Sequence, residues 1–186
     1  GRTETQALIL SPTRELCLQI ADDLENYSKY LPGVRVLPVY GGTNIESQIR
    51  SLRKGVQVIV ATPGRLIDLM ERKAASLDKV QNVILDEADE MLEMGFIEDI
   101  YSIMEYLPKQ RTTALFSATM PDSIKKIAES YLNNPTHISV KPEIMTASGV
   151  KQSYINVPMN RKRDALELIL RYKTPDRCLI FCNTRQ

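Results

Sequence analysis

The chain has 186 residues, of which 25% are charged and 43% hydrophobic, and its net charge at pH 7 is +1. This size and composition are typical of a globular protein with one domain, or one domain and part of another. The charge is far below that of a protein that binds nucleic acid through bulk positive charge, and no apolar run reaches the ~18 residues that a membrane helix needs. A single histidine, His137, argues against a Ser/His/Asp triad or a histidine-rich metal site. Three cysteines without metal-ligand spacing favour reduced thiols and a cytoplasmic location.

Short apolar segments alternate with segments of helical periodicity as far as Val140. The predicted strands are residues 7–11, 34–40, 56–61, 82–86, 112–117 and 136–140. The predicted helices are residues 13–31, 44–54, 64–72, 97–107 and 122–132. This alternation indicates an α/β fold, with a parallel sheet and helices on both of its faces.

The composition changes after Val140. Residues 141–152 are polar, with Pro, Gly and small residues, and we interpret them as a linker. A predicted strand (153–158), helix (161–173) and strand (177–183) follow. We therefore expect a first domain at 1–140, an interdomain linker at 141–152 and the start of a second domain at 153–186. Predicted strands lie close to both ends of the chain, so we expect it to be a fragment.

The segment "NVILDEAD" (82–89) leads an apolar strand directly into carboxylates. Ligands of open parallel sheets bind beyond the carboxyl ends of the strands. The placement predicts a nucleotide-hydrolysing site, in which Asp86 holds Mg²⁺ through water and Glu87 orients or deprotonates the attacking water. The alternative is an acidic helix cap, which leaves the apolar lead-in unexplained.

Three other strand exits, at 9–15, 60–65 and 116–123, leave the strand through Ser or Thr, meet Pro within a residue or two and enter a helix. These residues favour helix starts, whose free N–H groups suit phosphate. Arg14 and Arg65 lie in two of the first turns, and Gly41–Gly42 follows another strand. Together they predict a grip on a sugar–phosphate backbone that reads no bases. Taken singly, each arginine could instead pair with an acidic residue. The two glycines, taken alone, could simply form a loop.

These motifs together resemble the DEAD-box family of ATP-dependent RNA helicases. The motifs are "PTREL" (12–16), "GG" (41–42), "TPGR" (62–65), "DEAD" (86–89), "SAT" (117–119) and "LIFCNTR" (179–185), in the family's order. The resemblance implies a RecA-like P-loop NTPase fold, followed by the beginning of a second RecA-like domain. It also implies that the two domains close over ATP, Mg²⁺ and single-stranded RNA.

Specific roles follow from the same resemblance. Asp86 and Glu87 are the expected catalytic residues, with Asp86 as the Mg²⁺ ligand through water. Asp89 is expected to hydrogen-bond Ser117 and Thr119 and so couple the nucleotide site to domain closure. The residues expected to line the RNA path are Pro12, Thr13, Arg14, Gly42, Thr62, Pro63, Gly64, Arg65 and Thr184. The implied partners are single-stranded or duplex RNA and ribonucleoproteins, with no membrane.

The chain also departs from the family pattern. It contains no G-x-x-x-x-G-K-[ST] loop, no Gly-Lys dipeptide and no H-R-x-G-R run. An arginine finger alone contributes about 10³–10⁵ in rate, so we expect the isolated chain to be inactive. The alternatives are a non-hydrolysing RNA- or partner-binding module and another nucleic-acid-dependent NTPase, such as a DNA translocase. The co-occurrence of "DEAD" and "PTREL" favours the RNA helicase.

Overall fold

The computed structural model describes residues 3–140, 150–151 and 153–182. The chain divides into two compact units, Gly1–His137 and Ile138–Gln186. The domain bounds expected from the sequence stay a prediction, and most of the expected linker lies outside the described residues.

The first unit is built on a five-stranded parallel sheet. Its strands are β1 (Ala7–Leu10), β2 (Val36–Val39), β3 (Val58–Ala61), β4 (Asn82–Leu85) and β5 (Thr112–Leu115). The order across the sheet is β2-β3-β1-β4-β5, so β2 and β5 form its edges. In the register, the last residues of all five strands lie in one row: Val39, Ala61, Leu10, Leu85 and Leu115.

Six α-helices of the first unit follow the strands. They are α1 (Arg14–Tyr27), α2 (Ile45–Arg53), α3 (Pro63–Glu71), α4 (Ala88–Glu93), α5 (Ile97–Tyr106) and α6 (Asp122–Tyr131). Thr13 caps α1, because its side-chain oxygen accepts a hydrogen bond from the N–H of Leu16 at 3.2 Å. The side chain of Asn44 caps α2 in the same way, with the N–H of Glu46 at 2.8 Å.

Alternation along the strands divides the core between the two faces of the sheet. On one face, Leu8, Leu10, Ile59 and Leu85 pack with the apolar stripes of α2, α3, α5 and α6. On the other face, Ile9 and Val60 pack with α1. The prediction of a parallel sheet with helices on both faces is confirmed.

The helices of the first unit differ from the prediction mainly at the end of α1 and in the acidic segment. α1 ends at Tyr27 rather than at residue 31, because the chain turns over Ser28–Leu31 ahead of Pro32. A short helix, α4, occupies part of the acidic segment. It follows Glu87, whose left-handed backbone conformation cannot be predicted from hydrophobic periodicity.

The second unit contains a short 3₁₀ turn, Met159–Arg161, and helix α7 (Lys162–Lys173), which agrees with the helix expected at 161–173. The strands predicted at 136–140, 153–158 and 177–183 are not formed over their described residues. A strand depends on hydrogen bonds to a neighbouring strand, and the described part of the chain supplies none to these segments. None of the described helices combines the length and the hydrophobicity of a membrane-spanning segment.

Candidate functional site at the carboxyl ends of the strands

The segments that leave the five strands form one rim, which we call the carboxyl rim: residues 11–14, 40–43, 62–65, 86–89 and 116–119. Backbone hydrogen bonds between neighbouring strands continue one residue beyond the sheet and fix these exits. The N–H groups of Ser11, Thr62, Asp86 and Phe116 donate to Ala61, Val39, Leu10 and Leu85, respectively, at 2.8–3.0 Å. The sheet order therefore divides the rim into a half built from β2, β3 and β1 and an acidic half built from β4 and β5.

Arg14 lies on the first half of the rim at the start of α1. Its guanidinium carbon is 4.9 Å from the ring centroid of Tyr40, which follows β2, so a cation–π contact joins two exits. Gly42 has a φ of +79°, and a Cβ added there would lie 3.9 Å from an Arg14 nitrogen. The positive φ favours glycine at position 42, whereas the space around it would admit a Cβ.

Arg65 lies in the first turn of α3 and reaches back to the exit of β2. Its two terminal nitrogens donate to the carbonyl oxygen of Thr43 at 3.2 and 3.3 Å, and one of them also donates to Gln48 Oε1 at 3.2 Å. Neither Arg14 nor Arg65 forms an ion pair with another described residue. The alternative in which these arginines pair with acids is therefore not what the described residues show.

The other residues expected on the RNA path are placed differently from one another. Thr62 precedes α3 at the N-cap position without a side-chain cap bond, and Gly64 is exposed in the first turn. Pro12 and Pro63 are buried, and their place on the RNA path stays a prediction. A proline has no N–H group, so these two residues contribute by fixing the backbone of the turns. Thr184 lies outside the described residues.

The acidic half begins with Asp86 and Glu87. Asp86 Oδ1 accepts a hydrogen bond from the N–H of Glu87 at 3.0 Å, and Glu87 adopts a left-handed backbone with φ 50° and ψ 52°. Such a conformation costs about 1–2 kcal/mol for a non-glycine residue. The Glu87 side chain is exposed and does not cap α4. Desolvation raises the pKa of Glu87, and the negative charges of Asp86, Asp89 and Glu90 raise it further.

Asp89 connects the exit of β4 to the exit of β5. Its Oδ2 accepts hydrogen bonds from the N–H of Thr119 at 2.8 Å and from the Thr119 hydroxyl at 2.7 Å. The backbone N–H of Asp89 donates to Ser117 Oγ at 3.2 Å, and that hydroxyl donates to the carbonyl oxygen of Thr119 at 2.6 Å. Desolvation raises the pKa of Asp89, but its hydrogen bonds with Thr119 and Ser117 outweigh that effect, so the net pKa is lowered.

This network corrects one sequence interpretation. Ser117 and Thr119 do not start a helix, because α6 begins later, with Pro121 at its N-cap position. Their polar groups bind the "DEAD" segment instead. The exit of β5 therefore differs in kind from the exits of β1 and β3, which do lead into helix starts.

Sequence reasoning missed Gln48 and Tyr40. Gln48 is only 6% exposed, although it shares the inward face of α2 with Ile45, Ile49 and Leu52. Its Nε2 donates to the carbonyl oxygen of Tyr40 at 3.2 Å and to Thr43 Oγ1 at 3.1 Å. The sequence feature that would have identified Gln48 is its place as a polar residue on the apolar stripe of a predicted helix.

The sheet order, the helices on both faces and the polar residues at the carboxyl ends define a RecA-like domain. Two solved structures support this class. The chain resembles a DEAD box protein from Methanococcus jannaschii with a TM-score of 0.71 and 39% identity, over 90% of this chain and 45% of that one. It also resembles a hypothetical ATP-dependent RNA helicase from Sulfolobus tokodaii, with a TM-score of 0.66 and 40% identity, over 70% of this chain and 39% of that one.

Sequence comparison identifies the family. The DEAD/DEAH box helicase model matches residues 1–127, so the chain belongs to the DEAD/DEAH box helicase family. It is 47% identical over 180 residues to the ATP-dependent RNA helicase DeaD of Buchnera aphidicola, which covers 97% of this chain and 30% of that protein. It is also 47% identical over 181 residues to the DEAD-box ATP-dependent RNA helicase CshA of Geobacillus kaustophilus, covering 97% and 38%. The chain thus spans well under half the length of these curated relatives.

Proposed function

We propose that this chain is part of an ATP-dependent RNA helicase that couples ATP hydrolysis to local duplex unwinding or ribonucleoprotein remodelling. The observation that carries the proposal is the shared rim. The strand register places the starts of α1 and α3, which follow β1 and β3, at the same end of the sheet as the carboxylates that follow β4. Relatives at 47% identity are named as ATP-dependent RNA helicases, which supports the same function.

In this proposal the half of the rim built from β2, β3 and β1 binds the sugar–phosphate backbone of RNA. Helix starts offer N–H groups and a partial positive charge, and Arg14 and Arg65 add cations that no described carboxylate neutralises. The hydroxyl of Thr13, which accepts from Leu16, still has its proton to donate. Such contacts position a strand without reading its sequence.

The acidic half would take ATP with Mg²⁺. No three His, Cys, Asp or Glu side chains in the described ranges converge as a protein-only metal cage. Mg²⁺ is usually held by one or two carboxylates together with substrate phosphates and water, and Asp86 at a strand exit fits that requirement. When bound, the ion would neutralise charge on the phosphates.

Glu87 is the proposed base that orients or deprotonates the attacking water. Its exposed side chain faces solvent, and its pKa is raised by desolvation and by the neighbouring acids. A raised pKa brings a carboxylate closer to the operating pH, which favours proton transfer. Asp89, with its hydrogen bonds to Thr119 and to Ser117, is the proposed coupling residue, because a shift at either exit moves the other.

The first experiment measures whether the rim binds RNA. Fluorescence anisotropy of the chain with a labelled single-stranded RNA and with DNA of the same sequence, at several salt concentrations, gives affinity and salt dependence. We expect salt-sensitive binding that is weakened in Arg14→Ala/Arg65→Ala. The matched control is Arg53→Ala/Arg72→Ala, which removes the same charge at the carboxyl ends of α2 and α3, away from the carboxyl rim. Equal loss in the two double variants would contradict a specific rim site.

The second experiment measures turnover in a whole protein that contains this chain. RNA-stimulated ATP hydrolysis and duplex unwinding, both abolished by Glu87→Gln, are the expected results. Stimulation by DNA in preference to RNA would support a translocase, and RNA binding without turnover would support a non-hydrolysing module. Cytoplasmic location and ribonucleoprotein partners belong to the same proposal.

A further inference from the structure

Gln48 joins two segments of the rim through a buried amide. Its Nε2 donates to the carbonyl oxygen of Tyr40 and to Thr43 Oγ1, at 3.2 and 3.1 Å, while its Oε1 accepts from Arg65 at 3.2 Å. The donor side of the amide thus faces the turn after β2, and the acceptor side faces α3. Arg65 also reaches the turn directly, through the carbonyl oxygen of Thr43 at 3.2 and 3.3 Å.

The position of Gln48 is one that packing alone would give to an apolar residue. Ile45, Ile49 and Leu52 surround it on the same face of α2, and Ile49 is 7% exposed. Burying an amide is unfavourable unless its hydrogen bonds are made. The three bonds offset that cost, and they tie the turn after β2 and Arg65 of α3 to α2.

The consequences reach both rim arginines. Arg65 is held by Gln48 and by the carbonyl oxygen of Thr43, and a guanidinium with five N–H groups keeps donors for a further ligand. Tyr40, whose carbonyl oxygen Gln48 binds, carries the ring over which Arg14 lies. Gln48 therefore fixes the surroundings of two cations at once.

We propose that Gln48 is a positioning residue for RNA binding: it holds the Tyr40–Thr43 turn and Arg65 in the arrangement that meets the RNA backbone. This inference rests on the proposed RNA-binding function of the rim. Gln48 itself is buried and does not touch the ligand. Its effect is transmitted through Arg65 and the turn.

The test compares Gln48→Met with Gln57→Met. Gln57 is a second buried glutamine of the first unit, 7% exposed, immediately before β3. Its Oε1 accepts a hydrogen bond from the N–H of Arg35 at 2.8 Å, near the amino ends of the strands. Both changes replace a buried amide with an apolar side chain of similar length. Urea unfolding of each variant shows whether the two are destabilised to a similar extent.

RNA affinity is the first readout. Loss of one or two hydrogen bonds that position a ligand group corresponds to about a 3- to 10-fold change, so Gln48→Met is expected to weaken binding of labelled single-stranded RNA by that factor. Gln57→Met is expected to leave the affinity unchanged. Thr43→Val removes one hydrogen-bond acceptor of Gln48 outside the core, and it is expected to weaken RNA binding as Gln48→Met does. The test therefore holds even if Gln48→Met does not fold.

Backbone dynamics is the second readout and needs no RNA. We expect ¹⁵N order parameters of Gly41 and Gly42 to fall in Gln48→Met and to stay at the wild-type level in Gln57→Met. Unchanged order parameters, or RNA affinities equal to those of the control variant, would overturn the inference while leaving the proposed function intact. Absence of RNA binding by the wild-type chain would instead overturn the proposed function, and this inference with it.

Discussion

The hydrogen bonds between Asp89 and Thr119 lead to a quantitative prediction on stability. Thr119→Val removes the 2.7 Å bond from the hydroxyl but keeps the 2.8 Å bond from the backbone N–H, whereas Asp89→Ala removes both. Bonds to a charged group contribute about 1.5–3 kcal/mol when buried, and these are partly exposed and therefore weaker. We expect Thr119→Val to cost about 0.5–1 kcal/mol and Asp89→Ala about 1–2 kcal/mol.

A double-mutant cycle isolates the contact. Urea unfolding of the wild-type chain, both single variants and the double variant is expected to give an interaction energy of about 0.5–1 kcal/mol. Thr112→Val, at an exposed threonine of β5, is the control, and its effect should add to that of Asp89→Ala. An interaction energy of zero between Asp89 and Thr119 would refute the proposed link between the two strand exits.

The same cycle has a pH dependence with a definite sign. The pKa of Asp89 is lowered in the folded chain, so its ionised form contributes stability above the usual aspartate pKa. That contribution is lost as the pH falls through the lowered pKa. The interaction energy with Thr119 should therefore persist at pH 5 and decline only under strongly acidic conditions.

Three other predictions follow. Because the pKa of Glu87 is raised, its ionised form destabilises the fold above that pKa. Glu87→Gln should therefore raise the free energy of unfolding at pH 7. The difference between variant and wild type should vanish as the pH falls below the usual glutamate pKa. Gly55 and Gly95 share a φ of +82°, but only at Gly55 would an added Cβ lie 2.9 Å from Thr3 atoms. Urea unfolding should therefore show Gly55→Ala to be less stable than Gly95→Ala by about 1–3 kcal/mol, and equal values would contradict the packing of the first strand's lead-in. In a phosphate-release assay the purified 186-residue chain should show no RNA-stimulated turnover, because its sequence contains neither a G-x-x-x-x-G-K-[ST] loop nor an H-R-x-G-R run; measurable turnover that Glu87→Gln abolishes would contradict this.

The sequence was sufficient to predict the sheet of the first unit. Continuous apolar runs such as "ALIL" and "VIVA" are typical of strands buried on both faces, and all five were expected close to their observed bounds. The common rim followed, because parallel strands bring their carboxyl ends to one edge. The lateral order of the strands did not follow, since apolar runs carry no information on which neighbours pair.

The failures have a common physical cause. The segment 136–140 is as rich in strand-forming residues as the five real strands, but a strand depends on a partner as well as on its own residues. Gln48 was missed for a related reason: its three hydrogen-bond partners lie on other elements, so nothing in its immediate sequence shows that its amide is satisfied. The left-handed Glu87 likewise lies beside residues with distant partners, since the N–H of Ala88 donates to the carbonyl oxygen of Phe116 and the N–H of Asp89 to Ser117 Oγ.

Mapping the RNA contact by NMR shows directly whether the carboxyl rim binds RNA. Titration of the ¹⁵N-labelled chain with a single-stranded RNA should shift amide resonances of residues 11–14, 40–43 and 62–65. Residues at the amino ends of the strands, such as Gln6, Gln57 and Gln81, should keep theirs. Shifts concentrated at the amino ends of the strands, with the carboxyl rim unaffected, would contradict RNA binding at the rim.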